Sequence, residues 1–404
     1  MGQPEVPDQG SAESRKVPGT AGFNLFAPDV RRDPYPYYKM LRNSPVSRVA
    51  PLEALAVGRY EDVLFVLKNA QLFSSSVMRR ADATLLGADA PAHTRARPIV
   101  NRAFSLSATP GLEDRLRSEA RGIVDRIVSR KNFDLVSEFA NRLPIIAIAE
   151  ILGISEREHA ELELWSQAVV TGSSGDPRLP QDPQTSKRID EFNAFFERAI
   201  LERQANPRDD YISRLLHAKP GEDMLTQQQA LSICKLLLIA GNETTTNLIG
   251  NAVLALMQNP DELAKISTDP ALIPGLIEET MRYDSPVQIL FRRATEDVEI
   301  SGIAVKKDAQ VMAVLGSANR DERIFENPDL FDIGRDARDH IGFGYGPHSC
   351  LGASLARLEA SIALEALHPW LARIRAAEPL GSLSHVDSIN LRGVKSLRLE
   401  VVAN

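Results

Sequence analysis

The chain has few cysteines, no excess of basic charge and no long apolar run, and each shortage removes a class of protein. Two cysteines in 404 residues, Cys234 and Cys350, are too few for a disulfide framework or a four-cysteine metal site, and they suit a reducing compartment. Lys and Arg total 47 against 54 Asp and Glu, a net charge of −7, so no bulk positive charge is available for nucleic acid. The most apolar stretches, Leu143 to Ile154 and Ile233 to Ala240, are interrupted by Glu150 and Lys235. They fall short of the roughly 18 to 20 apolar residues that span a bilayer. Met1 to Thr20 lacks the basic-then-apolar order of a secretory signal and reads as a flexible tail over residues 1–20. No repeat period and no long block of like charge is present. The expectation is a cytoplasmic protein with no membrane span and no nucleic-acid partner.

What is present is a globular composition, 43% hydrophobic and 25% charged, able to bury a large core. Asp33-Pro34-Tyr35-Pro36 opens a short helix to Arg42, and Ala54 to Val57 before Gly58 reads as a strand. Helical spacing runs from about Pro110 to Leu152 through Leu112, Leu116, Ala120, Ile123, Val124 and Ile127. Gly172, Ser173, Ser174, Gly175, Pro177, Pro180 and Pro183 predict a loop over Thr171 to Thr185, either a surface connection or a lid. Thr226-x-x-Gln229 is a capping box opening a helical pattern that lasts to Met257, where Asn259-Pro260 stops it. The 33 positions 226 to 258, at ~1.5 Å each, give a helix of ~50 Å that can cross a domain. Asp297 to Ile300, Ile303 to Val305, Gln310 to Leu315 and Ser396 to Val402 read as strands. The expected fold class is mainly α with a minor β-rich part.

The densest chemistry is Phe343-Gly344-Tyr345-Gly346-Pro347-His348-Ser349-Cys350-Leu351-Gly352, followed by a helical pattern from Ala353 to Leu367. Glycines let something flat approach the backbone, and Cys350 precedes a helix start, where the dipole and free N–H groups favour a thiolate. A thiolate is a strong soft metal ligand. Three other readings compete. A dinucleotide loop needs Gly-x-Gly-x-x-Gly spacing, which is not met. A Cys-His nucleophile would rely on His348, two residues away, with no protease signature around it. A buried structural cysteine is the third. The run resembles the haem-binding signature of the cytochrome P-450 family, F-G-x-G-x-H-x-C-x-G, at every fixed position. That resemblance implies that Cys350 is the axial thiolate and metal ligand, within a cofactor-binding loop containing Phe343, Gly344, His348 and Gly352.

Other segments extend the resemblance. Ala240-Gly241-Asn242-Glu243-Thr244-Thr245 places an acid and hydroxyls mid-way along an apolar helix; alone this is a satisfied polar kink. It resembles the family's A-G-x-D/E-T pattern, which implies a locally distorted helix forming an oxygen groove, with Glu243 and Thr244 as the catalytic proton-delivery pair. Glu279-Thr280-Met281-Arg282 is an i, i+3 charge pair, by itself usually a surface feature. It resembles the family's E-x-x-R pair, and Phe325-x-x-Pro328-x-x-Phe331-Asp332-x-x-Arg335 resembles the segment that supplies its third member. Glu279, Arg282 and Arg335 are therefore expected to be structural. Haem propionates need cationic donors, preferably Arg. The resemblance nominates His93 and Arg97, with Ala90 standing where the family has its first proline, together with Arg292 and His348.

The similarity runs from Asp33-Pro34-Tyr35 to Leu391-Arg392-Gly393 and implies one P-450-type domain over residues 21–404, with a lid at the Thr171 to Thr185 loop. It implies haem b (iron protoporphyrin IX) and a monooxygenase that inserts one atom of O2 into an apolar organic substrate. Electrons would come from a separate ferredoxin or flavodoxin type donor with its reductase, and the chain would be a monomer. Leu237, Ala240, Val287, Gln288, Leu290 and Asn390 are expected by resemblance to line the substrate pocket. Two rivals remain. A peroxide-driven or rearranging haem-thiolate enzyme would depart from the acid-threonine pattern, and a non-catalytic haem sensor or carrier need not keep it.

Overall fold

In the computed structural model, which describes residues 19–24, 27–50, 52–78, 83–104, 109–174, 182–217 and 224–402, the chain enters directly into a sheet. Residues 1–18 of the expected tail lie outside the described residues. Gly19 and Thr20, placed in the tail by composition, belong to strand Gly19–Asn24, because backbone pairing to Ser47–Ala50 holds them. Among the described residues this sheet has the spatial order Gly19–Asn24, Ser47–Ala50, Ala54–Val57, Gln310–Val314, Ile289–Ala294, Phe73–Ser74. Ala54–Val57 is buried at every position and lies parallel to Gln310–Val314, as suits a strand covered on both faces. Ile289–Ala294 runs antiparallel beside Gln310–Val314 and turns Arg292 inward and Arg293 outward. Val298–Ile300 and Ile303–Val305 form a hairpin whose turn, Ser301-Gly302, has positive φ at both residues, 45° and 83°, the geometry that matches strand twist.

Helices make up the rest, arranged around Gln227–Gln258. Its start is the expected capping box: Gln229 N–H donates to Thr226 Oγ1 at 3.2 Å and Thr226 N–H to Gln229 Oε1 at 2.9 Å. The helix packs against Arg142–Leu152, Pro183–Ala205, Ile273–Tyr283 and Ala353–Leu367. Being surrounded explains why it is apolar on nearly all sides. Among the described residues no helix is long and apolar enough to cross a membrane.

Two expectations change. The long pattern from Pro110 to Leu152 divides into Leu112–Ser129 and Arg142–Leu152. Lys131 takes a left-handed φ of 66° after the first helix, and Asn132–Asp134 is drawn into antiparallel pairing with Arg398–Val401. A π-helical turn, Val136–Ala140, then leads into the second helix. The loop expected over Thr171 to Thr185 is shorter at both ends. Thr171 to Ser174 finish helix His159–Ser174, and Asp182 caps Pro183–Ala205 by accepting the Thr185 N–H at 2.9 Å. Pro183 fits there because the first helical turn needs no donor from it. Residues 175–181, the centre of the expected lid, lie outside the described residues.

Candidate active site

The Cys350 loop is tied by its own backbone. Gly344 N–H donates to Ile341 O at 2.8 Å, Ser349 N–H to Gly346 O at 3.0 Å and Cys350 N–H to Phe343 O at 2.8 Å. Gly346 is required twice over: its φ is 74°, and a Cβ there would sit 2.6 Å from Leu67 O. Gly352 follows as the residue before helix Ala353–Leu367. Cys350 is exposed, yet desolvation is the strongest influence on its thiol, so the sulfur lies on the wall of an internal space. Burial pushes its pKa up, against a Gly352 N–H bond and the charges of Arg97 and Arg357. The helix start alone therefore does not make the thiolate that sequence reasoning expected; a bound metal ion would, because coordination deprotonates a thiol outright.

Beside this sulfur the fold gathers two arginines and two histidines against a single carboxylate among the described residues, Asp89. His93 and His348 have ring centroids 4.1 Å apart, and Arg97 Nη2 donates to Ser349 O at 2.7 Å. Arg292 is buried at 3% exposure, where its Nη1 donates to the Phe291 carbonyl at 2.8 Å. Burial pushes His348 down to about 3, with the charges of His93, Arg292 and Arg97 adding to the effect. Burial likewise lowers Arg292 to about 10 and depresses His93 and Arg97. Asp89 is the one carboxylate acting on His93, Arg292 and His348, and it accepts from Ser74 Oγ and Ser75 N–H. His93 Nε2 is buried with no partner. A flat dianion placed against Cys350 would meet these four side chains, and the residues present thus fit a haem with its propionates.

The acid and hydroxyls sit in the middle of the central helix. It is unbroken from Gln227 to Gln258, so the groove expected from the family pattern is not a break in the helix. Thr244 Oγ1 donates to Ala240 O at 2.6 Å, and Asn242 Nδ2 to Ser166 Oγ at 3.0 Å. Ala240 is exposed although it lies on a core helix, one turn from Thr244. Glu243 Oε2 is buried without a partner, and desolvation raises its pKa. Sequence reasoning missed Glu359, on the helix after Cys350. It is buried, pushed up to about 8 by desolvation, with Thr245 as its hydrogen-bonding neighbour.

The expected scaffold is assembled. Arg282, at 0% exposure, forks onto Glu279 through Nε at 2.7 Å and Nη2 at 2.8 Å. Arg335 Nε lies 3.5 Å from the same carboxylate, and its Nη1 donates to Glu326 O. Of the pocket candidates, Leu237 and Ala240 share the central helix, and Leu290 Cδ1 lies 3.8 Å from where a Gly344 Cβ would be. Val287 bridges to Leu391, and Asn390 O accepts the Gln288 N–H at 2.8 Å, so that segment is strapped beside the strand. Gln288 itself is not turned to the Cys350 loop. Its side chain is buried against Gly316, donating to Ser285 O at 2.7 Å, because the backbone there places it on the Tyr35 side.

A family model described as cytochrome P-450 matches residues 271–367. Cytochrome P-450 109 of Bacillus spizizenii is 38% identical over 372 residues, 91% of this chain and 92% of that one. Cytochrome P-450 107B1 of Saccharopolyspora erythraea is 36% identical over 389 residues, 91% and 94%. The solved structure of CYP109Q5 from Chondromyces apiculatus superposes with a TM-score of 0.86 at 37% identity, covering 95% of this chain and 98% of that one. CYP109E1 of Bacillus megaterium, solved with testosterone, gives 0.83 at 34% identity, covering 92% and 100%. With the signature loop around Cys350 and this identity over nine-tenths of its length, the chain belongs to the cytochrome P-450 family of haem-thiolate monooxygenases.

Proposed function

We propose that residues 21–404 act as one catalytic domain in which Cys350 binds the iron of haem b. His93, Arg97, Arg292 and His348 hold the propionates, and the Phe343 to Gly352 loop carries the thiolate. The observation that carries this reading is the gathering of Arg97 and Arg292 with His93 and His348 beside an accessible cysteine, where Asp89 is the carboxylate among the described residues that acts on the group. When bound, haem supplies the activation of O2. The chain supplies the rest. Burial raises the pKa of Glu243, which suits it to pass protons, and Thr244 Oγ1, anchored on the Ala240 carbonyl, keeps its lone pairs free to orient a water toward the space above Cys350. Leu237, Ala240, Val287, Leu290 and Asn390 border that space and favour an apolar organic substrate; the testosterone complex of CYP109E1 supports the same class. Electrons arrive from a ferredoxin or flavodoxin type donor with its reductase, and the chain works as a cytoplasmic monomer.

The test is the reduced carbon monoxide complex. Wild type should show the long-wavelength thiolate band, Cys350→His should lose it, and Cys234→Ala should keep it, since Cys234 is buried packing on the central helix. A band that survives Cys350→His refutes the assignment. Turnover with peroxide alone, at the rate seen with a reduced donor, would favour the peroxide-driven reading.

A further inference from the structure

Glu278 stands one residue before the scaffold acid Glu279 and takes no part in the site described so far. Its carboxylate faces the Cys350 loop. Oε1 accepts from Arg357 Nε at 2.6 Å and Oε2 from Arg357 Nη2 at 2.9 Å, a bidentate fork between two helices. Oε2 also accepts from His340 Nε2 at 3.0 Å, while His340 Nδ1 accepts the Gly342 N–H at 3.1 Å. These partners converge on one residue. The Arg357 guanidinium lies 4.4 Å over the Phe343 ring, and the His340 ring is 5.7 Å from it. The Phe343 carbonyl in turn holds the Cys350 N–H at 2.8 Å.

The electrostatics agree with the geometry. Burial would raise Glu278, but the hydrogen bonds from Arg357 and His340 and the charge of Arg357 hold it at about 2, so it is ionised at neutral pH. Arg357 is one of two cations that favour the Cys350 thiolate. Its charge is therefore delivered to the loop with its counter-charge already attached.

We propose that Glu278 is a positioning residue for the thiolate: by clamping Arg357 against Phe343 it sets the net charge felt at the Cys350 sulfur, and with it the reduction potential of the iron. The proposal rests on Cys350 being the ligand. One-electron reduction of a thiolate-bound ferric iron by the donor adds one negative charge, and positive charge nearby favours it. Glu278→Gln leaves Arg357 uncompensated and should raise the potential. Arg357→Gln leaves Glu278 uncompensated and should lower it. Each shift should change the ferrous-to-ferric ratio at fixed potential by about tenfold, about 59 mV for a one-electron couple. Glu278→Asp keeps the charge and should return most of the way to wild type.

The experiment is a spectroelectrochemical titration of the full-length holoprotein, with the reduced carbon monoxide spectrum recorded on each sample. Opposite shifts with the thiolate band retained support the proposal. Shifts of the same sign, or none, with the band retained overturn it. Arg357 has a side chain 41% exposed, so Arg357→Gln should fold; loss of haem or of the thiolate band in that variant would show a scaffold role instead and also overturn it. Absence of the band in wild type would reject the Cys350 reading itself, an outcome distinct from unshifted potentials.

Discussion

Two sets of buried polar groups flank the Cys350 loop, and they differ in how far their hydrogen bonding is complete. On one side Arg282 spends every donor: Nε and Nη2 on Glu279, the remainder on the carbonyls of Asn319, Pro328 and Leu330. On the other, His93 Nε2 and Glu243 Oε2 have no partner, and Arg292 has only its neighbour's carbonyl. Both sets are charged and both are buried, so charge density alone does not separate them. A completed network leaves no room for a ligand and holds backbone in place. An incomplete one costs free energy until something completes it, an anion for the cations or a water for the acid. Unmet hydrogen-bonding capacity thus separates Arg282 from His93, Arg292 and Glu243, while Arg335 Nε, 3.5 Å from Glu279, shows that the scaffold keeps one unmet donor of its own.

Breaking the completed side should have the largest effect. Arg282→Ala strips the bidentate partner from buried Glu279, leaving it the Asp332 N–H and the longer Arg335 contact, a loss of about 3–5 kcal/mol, read as a lowered denaturant midpoint of the apoprotein. Arg292→Leu should do the reverse to the apoprotein, leaving its thermal midpoint unchanged or higher, since it removes a cation that burial disfavours more than the charge of Asp89 favours it. The same substitution should weaken haem binding by about 2–5 kcal/mol, measured as faster haem transfer to apomyoglobin. Equal destabilisation of both apoproteins would erase the distinction between the two sides.

The contrast also explains what was legible beforehand. The Cys350 loop was readable because ten adjacent residues carry it, and Glu279 with Arg282 because one helical turn joins them. Arg292 could be separated from Arg293 only by the strand's alternation, which pairing with Gln310–Val314 supplies. Glu278 with Arg357 and Thr245 with Glu359 carry no local pattern, because their partners meet only when helices far apart in sequence pack together. Gln288 was misplaced for a related reason: its direction is set by contacts with Ser285 and Gly316, which no spacing reveals. Lys131 ended a helix that apolar spacing would have continued, since its strand partner lies at the other end of the chain.

The incomplete side can be sharpened at its acid and alcohol. Thr244→Ala removes the hydroxyl held on the Ala240 carbonyl without touching the cation cluster. It should bind haem and consume electrons, while much of the reduced oxygen leaves as hydrogen peroxide. Glu243→Gln should mainly slow turnover. Positioned proton transfer is typically worth about 10²- to 10⁴-fold, and product formed per reducing equivalent, with peroxide assayed in parallel, measures it. Unchanged coupling and rate in both variants would sink the proton-delivery assignment and favour the peroxide-driven alternative.

The smallest expected effect compares two glutamates on either side of Cys350 through their opposite pH dependence. Glu359 is held at about 8, well above its ordinary value, because burial is opposed only by Thr245. The folded apoprotein therefore binds a proton that the unfolded chain has released, and this contribution to stability is full below about 4.5 and lost as pH rises toward 8. The slope is at most about 1.4 kcal/mol per pH unit for one group. Glu278, held at about 2, has the opposite sign: its contribution is present above about 4.5 and lost as pH falls toward 2. Denaturant unfolding of the apoprotein at several pH values should show Glu359→Gln flattening the curve between pH 5 and 8 while leaving its acid limb, and Glu278→Gln flattening the acid limb alone. If Glu359→Gln left the upper slope intact, the buried acid would not be the group that binds the extra proton in the folded apoprotein, and its burial beside Thr245 would not set the pH dependence.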